Sequence, residues 1–222
     1  MNTQVAVEAL EGGLTPAPRN SRSPVRSLLR QATADAHERM HRHPGFAAAA
    51  AGSICARDYR RLLARILGFH RPYERMLEAA ARRLGVVDLD VVARARTPSL
   101  VRDLTTLGLT PEAIEALPNW APGLLLKSEA SLIGSLYVIE GSALGGFQMG
   151  RALAGRFGDG IDGRGFFLDR GDSHGRLWRS FVVRMERFGR DKEGSREAAA
   201  AARATFEAYE VWMEDWDSIA IE

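Results

Sequence analysis

Large apolar residues recur at three- and four-residue intervals through most of this chain, the spacing that keeps side chains on one side of a helix. The first such stretch opens at Ser23-Pro24, a capping residue followed by proline at the first helical position. It continues through VRSLLRQATADAHERMHRH to a stop at Pro44-Gly45. Val25, Leu28, Leu29, Ala32, Ala36 and Met40 form its apolar side. A second long helix is predicted from Asp58, with Leu62, Leu63, Ile66, Leu67, Phe69, Tyr73, Met76 and Leu77 inward and a kink at Pro72. Shorter segments follow at 99–107 and after the Thr110-Pro111-Glu112 cap, then a loop over 118–123. Helices are also predicted at 173–190, with Leu177, Phe181 and Phe188 on one side, and at 196–216, with Phe206, Tyr209, Trp212, Met213 and Trp216 at helical spacing. The segment GDGIDGRGFFLDRGD carries too many turn signals to be regular, and Phe166-Phe167-Leu168 is its anchor to a core. No strand-like alternation of useful length is present. The pattern predicts an all-α fold in one domain over 24–222. Residues 1–23, poor in large apolar side chains and containing Gly12, Gly13, Pro16 and Pro18, read as a disordered tail.

One stretch departs from ordinary helical composition. Lys127 to Phe157, KSEASLIGSLYVIEGSALGGFQMGRALAGRF, has the apolar rhythm of a mostly buried helix but contains Gly134, Gly141, Gly145, Gly146, Gly150 and Gly155. Each glycine within a helix costs roughly 0.5–1 kcal/mol relative to alanine, so something must offset them. A missing Cβ lets another surface approach the backbone, and Gly141, Gly145 and Gly146 lie at i, i+4 and i+5 on one side. That surface is either a neighbouring helix or a flat ligand.

Composition narrows the alternatives. The chain has 222 residues, 45% of them hydrophobic, enough for the core of one domain. A single cysteine, Cys55, excludes an internal disulfide framework or a cysteine-based metal cluster and suits the cytosol. Basic and acidic residues nearly balance, 30 against 28, and no Lys/Arg run is interleaved with aromatics, so a nucleic-acid partner is not indicated. No uninterrupted apolar run reaches the ~18 residues that span a bilayer, and Glu8 and Glu11 replace the basic start of a leader peptide. A soluble, cytoplasmic protein is expected.

Histidines supply the candidate chemistry. His37 and His41 share a helix face at i, i+4, a spacing that suits either metal ligation or a solvated polar face near a helix C-terminus. Arg30 lies two turns before His37, and Arg26 a further turn back. A planar dianionic ligand fits this layout, with one imidazole for iron, Arg30 for a carboxylate and the glycine-rich helix over the opposite face. Heme has these properties.

The strings LLRQATADAHERM and, about a hundred residues later, YVIEGSALGGFQMGRAL resemble heme oxygenase, particularly the bacterial biliverdin-forming branch found beside bacteriophytochromes. The resemblance covers roughly residues 24–217. Ala32-Thr33 and His37 match the family's AT-x-x-x-H context, which makes His37 the expected axial iron ligand. Gly141, Gly145 and Gly146 match its distal G-x-x-x-G-G pattern, where backbone touches heme. Arg30 matches a basic propionate-binding position, Arg179 and Arg184 are further candidates, and Tyr137 either faces the pocket or packs.

The resemblance implies that heme is both cofactor and substrate. It would be opened with O₂ to biliverdin, carbon monoxide and ferrous iron, using electrons from an external ferredoxin or reductase, since no flavin or nicotinamide fingerprint occurs. A bacteriophytochrome is a candidate receiver of the biliverdin. Two departures matter. Ser142 stands where animal-type members have the aspartate that orders the distal water, and His41 stands where an acidic residue usually follows the proximal histidine. These departures motivate a second hypothesis, a heme carrier or sensor without turnover. A third, a helical scaffold with packing glycines, predicts no saturable heme binding.

Overall fold

The computed structural model describes residues 24–221 except 87, 158–161, 169–170 and 188–190, with the side chains of 143–144 and 171–174 also outside the description. The tail reading of 1–23 and the predicted inward position of Phe188 therefore lie outside the described residues. Nine α-helices occur among the described residues, in the order α1 (Pro24–Arg42), α2 (Pro44–Ala50), α3 (Ala56–Leu84), α4 (Thr97–Thr106), α5 (Pro111–Glu115), α6 (Glu129–Ala152), α7 (Gly165–Leu168), α8 (Gly171–Glu186) and α9 (Lys192–Met213). A 3₁₀ turn at Val92–Arg94 precedes α4, and the described residues contain no strand.

The apolar stripes become two cores. Val25, Leu29 and Ala36 of α1, Phe69, Tyr73 and Leu77 of α3, Leu132, Ile133 and Leu136 of α6, Phe181 of α8 and Ala198, Ala202 and Phe206 of α9 form the first. Leu62, Leu63, Ile66 and Leu67 of α3 meet Leu100 and Leu104 of α4, Leu153, Phe167 and Met213 in the second. The central element is α9. Both α1 and α6 pack along it, while contact between α1 and α6 themselves is marginal. The region between those two helices is the candidate slot.

Proline and glycine have different consequences from those their types suggest. Pro44 ends α1 as expected, but it also occupies the first position of α2, because proline is suited to a helix start as well as a stop. The α3 helix continues through Pro72. Proline lacks the N–H that would bond the carbonyl of Gly68, and the Trp120 N–H donates to that oxygen instead at 2.9 Å. The glycine-rich helix begins with a reciprocal cap between Ser128 and Ser131 and ends at Ala152, shorter than its apolar rhythm, because the chain turns through Gly155 at φ +69°. Phe166-Phe167-Leu168 lies in and beside the short α7, with Phe167 buried as the sequence suggests. The Asp103 carboxylate fixes this turn by accepting from the backbone N–H groups of Gly165 and Phe166 at 2.8 and 2.7 Å.

By length and average hydropathy α6 could cross a bilayer. Here it is a core helix, mostly buried, with the Tyr73 hydroxyl 3.0 Å from its Ser135 hydroxyl and the Thr205 hydroxyl donating to the same oxygen at 2.8 Å.

Candidate functional site

Both walls of the slot follow from helical spacing. On α1, Arg26, Arg30, Thr33, His37 and His41 fall along one side. Thr33 is buried and donates its hydroxyl to the Leu29 carbonyl of its own helix at 2.9 Å, which satisfies its polar atom within α1. The ring of His37 reaches solvent and meets the ring of His41 edge-on at 4.4 Å between centroids. Phe206 of α9 backs it at 6.4 Å. Partial desolvation and the neighbouring His41 hold the proton affinity of His37 below the ordinary 6.5, with Glu38 opposing. This direction favours the neutral imidazole that a metal ligand requires. No cluster of three His, Cys, Asp or Glu suited to a metal ion occurs among the described residues. A lone imidazole suits a metal that brings its other donors with it.

The glycines of α6 divide into two groups. A Cβ at Gly134 would collide with the backbone carbonyl of Ala198 on α9. At Gly150 it would come 2.6 Å from Leu168 Cδ2, and at Gly146 3.2 Å from Phe167 Cδ1. These three serve helix packing. At Gly141 and Gly145 a Cβ would meet no atom of the described residues within 4 Å. Packing does not explain the two glycines, which share a stripe with Tyr137 at i, i+4 and i+8. Tyr137 is half-buried; desolvation raises its pKa while Arg26 and Arg30 of α1 oppose the shift, which brings the phenol into the neighbourhood of both cations. The glycine stripe therefore continues from the end of the slot where α1 presents its arginines.

Other expected site residues are placed less directly. Gly146 lies one residue round the helix from Gly145, with Phe167 filling its Cβ direction. Ser142 is exposed and donates its hydroxyl to the Ile139 carbonyl at 2.8 Å, within its own helix. Arg179 is exposed on α8. Arg184 is committed to ion pairs with Glu129 and Asp88, which raise its pKa and brace α8 against the start of α6. Arg26, on the helix face already identified, lies over the Trp178 ring at 5.6 Å, and Phe206, a core residue by its spacing, is the neighbour of His37. Glu140 does not supply the missing distal carboxylate: it is fully buried against Arg94.

Two shallow grooves of about 620 and 470 Å³ run along the seam of α1 and α9. They are lined by residues such as Gln31, Asp35 and Arg203, or Met40, Glu210 and Val211, and neither includes His37, Gly141 or Gly145. Chemistry rather than concavity marks the candidate site: an imidazole of lowered proton affinity and two arginines along one helix, and two glycines with open Cβ directions on the other.

A family model described as heme oxygenase matches residues 23–215. The chain belongs to the heme oxygenase family. A heme oxygenase of Xanthomonas campestris pv. campestris is 35% identical over 113 residues, which cover 51% of this chain and 64% of that protein, just under two thirds of its length. The fold is similar to that of the Neisseria meningitidis heme oxygenase, solved with NO and CO bound, with a TM-score of 0.66, 20% identity and coverage of 91% of this chain and 96% of that one. In this heme oxygenase family member, the all-α expectation is met and the family resemblance read from the two motifs is confirmed.

Proposed function

We propose that this protein is a heme oxygenase that binds heme between α1 and α6 and opens it to biliverdin, carbon monoxide and ferrous iron. The observation that supports this most is the pair of glycines, Gly141 and Gly145, at which an added Cβ would meet no described atom, on a helix whose Gly134, Gly146 and Gly150 are closely packed. Their bare backbone suits the flat face of a macrocycle. When bound, heme supplies the iron at which O₂ is activated and the carbon framework that is oxidised. His37, whose proton affinity is lowered by its surroundings, would hold the iron. Arg30 and Arg26 would pair with the propionate carboxylates, with the Tyr137 hydroxyl near them. Gly141 and Gly145 let α6 lie close to the ring and keep acid–base side chains away from the reacting edge. Ser142 retains acceptor capacity on its oxygen and can hold a water at the edge of that face. Electrons come from an external ferredoxin or reductase, and a cytoplasmic bacteriophytochrome is a suitable receiver of the product.

The carrier or sensor reading draws support from one feature, the Ser142 hydroxyl turned into its own helix. One experiment separates the two readings. Purified protein with one equivalent of hemin forms a Soret band; with reductant in air, an oxygenase loses that band as biliverdin absorbance rises. A band that persists assigns a carrier. Absence of any complex overturns both.

A further inference from the structure

Glu140 immediately precedes the first open glycine, yet its carboxylate points the other way and is wholly inaccessible. It meets the Arg94 guanidinium at 3.0 Å, a close ion pair rather than an aligned hydrogen bond. Arg94 is equally enclosed, with 3% of its side chain accessible. Its Nε donates to the Leu89 carbonyl at 2.7 Å, and its Nη2 reaches α8 twice, at the Leu177 carbonyl (3.0 Å) and the Ser180 hydroxyl (3.1 Å). Phe181 of α8 lies beneath the cation at 5.8 Å. One residue along α8 from Leu177, the indole of Trp178 receives the Arg26 guanidinium of α1 at 5.6 Å. A continuous path thus runs from α6 through Arg94 to α8, and from α8 through Trp178 to α1. It joins the two walls that otherwise barely touch.

We propose that the buried Arg94–Glu140 pair is a positioning clasp: it holds α6 to α8, and through Trp178 and Arg26 to α1, and so sets the height of the Gly141–Gly145 backbone over a bound macrocycle. Two desolvated charges are an expensive way to join helices if stability alone is at issue, because apolar residues of similar volume do this as well. Their use here is geometric. The planar guanidinium reaches three elements in fixed directions, whereas an apolar contact would let α6 slide or roll. The consequence is control of where the ring edge lies beneath α6, and hence of which meso carbon is attacked. This inference rests on the heme oxygenase reading for its last step but not for the clasp itself.

The test uses the full chain as wild type, as Glu140→Gln and as a control, Leu104→Ala, which lies in the second core away from α6. Backbone hydrogen exchange is measured on ligand-free protein, followed by hemin affinity and the isomer distribution of the biliverdin formed. The clasp requires Glu140→Gln to speed exchange across 137–146 and 177–181 by about tenfold or more, to weaken hemin binding and to turn one biliverdin isomer into a mixture. Leu104→Ala lowers melting temperature without changing the isomer. Unchanged exchange over 137–146, or a single isomer from Glu140→Gln, overturns the proposal. If Glu140→Gln fails to fold, Arg94→Lys, which keeps the cation and loses the fork, carries the same readouts. Failure of the oxygenase reading is distinguishable: wild type would then form no biliverdin, while the exchange data still decide the clasp.

Discussion

On the side of α6 turned toward α9 and α7, Gly134, Gly146 and Gly150 sit where an added methyl group would strike Ala198, Phe167 or Leu168. On the stripe shared with Tyr137, Gly141 and Gly145 sit where a methyl group would strike no described residue. All five glycines carry the same helix-propensity cost of roughly 0.5–1 kcal/mol each. On the packed side that cost is offset within the folded chain by close approach of neighbouring elements. On the open side no described residue offsets it, which is what a face reserved for a ligand would show. Two faces of one helix thus separate what the fold needs from what the function needs.

The largest effect tests the packed face. Gly134→Val forces a branched side chain against the backbone of Ala198 and should destabilise by about 3 kcal/mol or more, read as a collapse of melting temperature or failure to express in soluble form. A variant that melts like wild type would remove the packing half of the comparison. Next comes the opposite wall. His37→Ala should abolish the histidine-ligated spectrum of the hemin complex while leaving the ligand-free stability within about 0.5 kcal/mol of wild type, because the residue is exposed and its ring contacts with His41 and Phe206 are peripheral to the core. An unchanged spectrum would move the ligand elsewhere. Arg30→Ala should weaken hemin about tenfold, the loss of one charge-assisted contact, and do so most at low salt; calorimetric titration at two ionic strengths checks this.

The smallest effect concerns pH. Burial lowers the proton affinities of both His37 and His43 below 6.5, the latter partly offset by its contact with the Met213 carbonyl at 3.0 Å. As pH falls through 6.5 the unfolded chain gains protons that these folded imidazoles resist, so the unfolded state binds the excess and stability declines. Ligand-free melting temperature should hold steady from pH 8 to 7 and drop by roughly 1–3 °C below 6.5, measured by calorimetry. A rise on acidification would contradict the assignment of both environments.

Much of this was legible in the chain. The long stripes of α1, α3 and α9 and the pairing of His37 with Arg30 follow from helical spacing alone. Pro44 was ambiguous because the same residue type ends one helix and begins another, which hid α2. The glycine-rich helix was overextended because apolar rhythm continues through Leu153, a buried residue in a turn rather than a helix. The division of its glycines was not legible at all: Gly145 and Gly146 are neighbours, and only the position of Phe167 assigns one to packing and leaves the other open. The ion pairs of Arg184 were not legible for a similar reason. Its partners, Glu129 and Asp88, are 55 and 96 residues away in sequence, beyond any local pattern.

The most direct measurement pairs two numbers for one variant, Gly145→Leu: the melting temperature without ligand and the dissociation constant for hemin. The open face predicts a melting temperature equal to or above that of wild type, since leucine favours the helix, together with hemin binding at least about tenfold weaker as the side chain fills the slot. Unaltered hemin affinity, or a melting temperature that falls as it does for Gly134→Val, would contradict the claim that this face is built for a ligand.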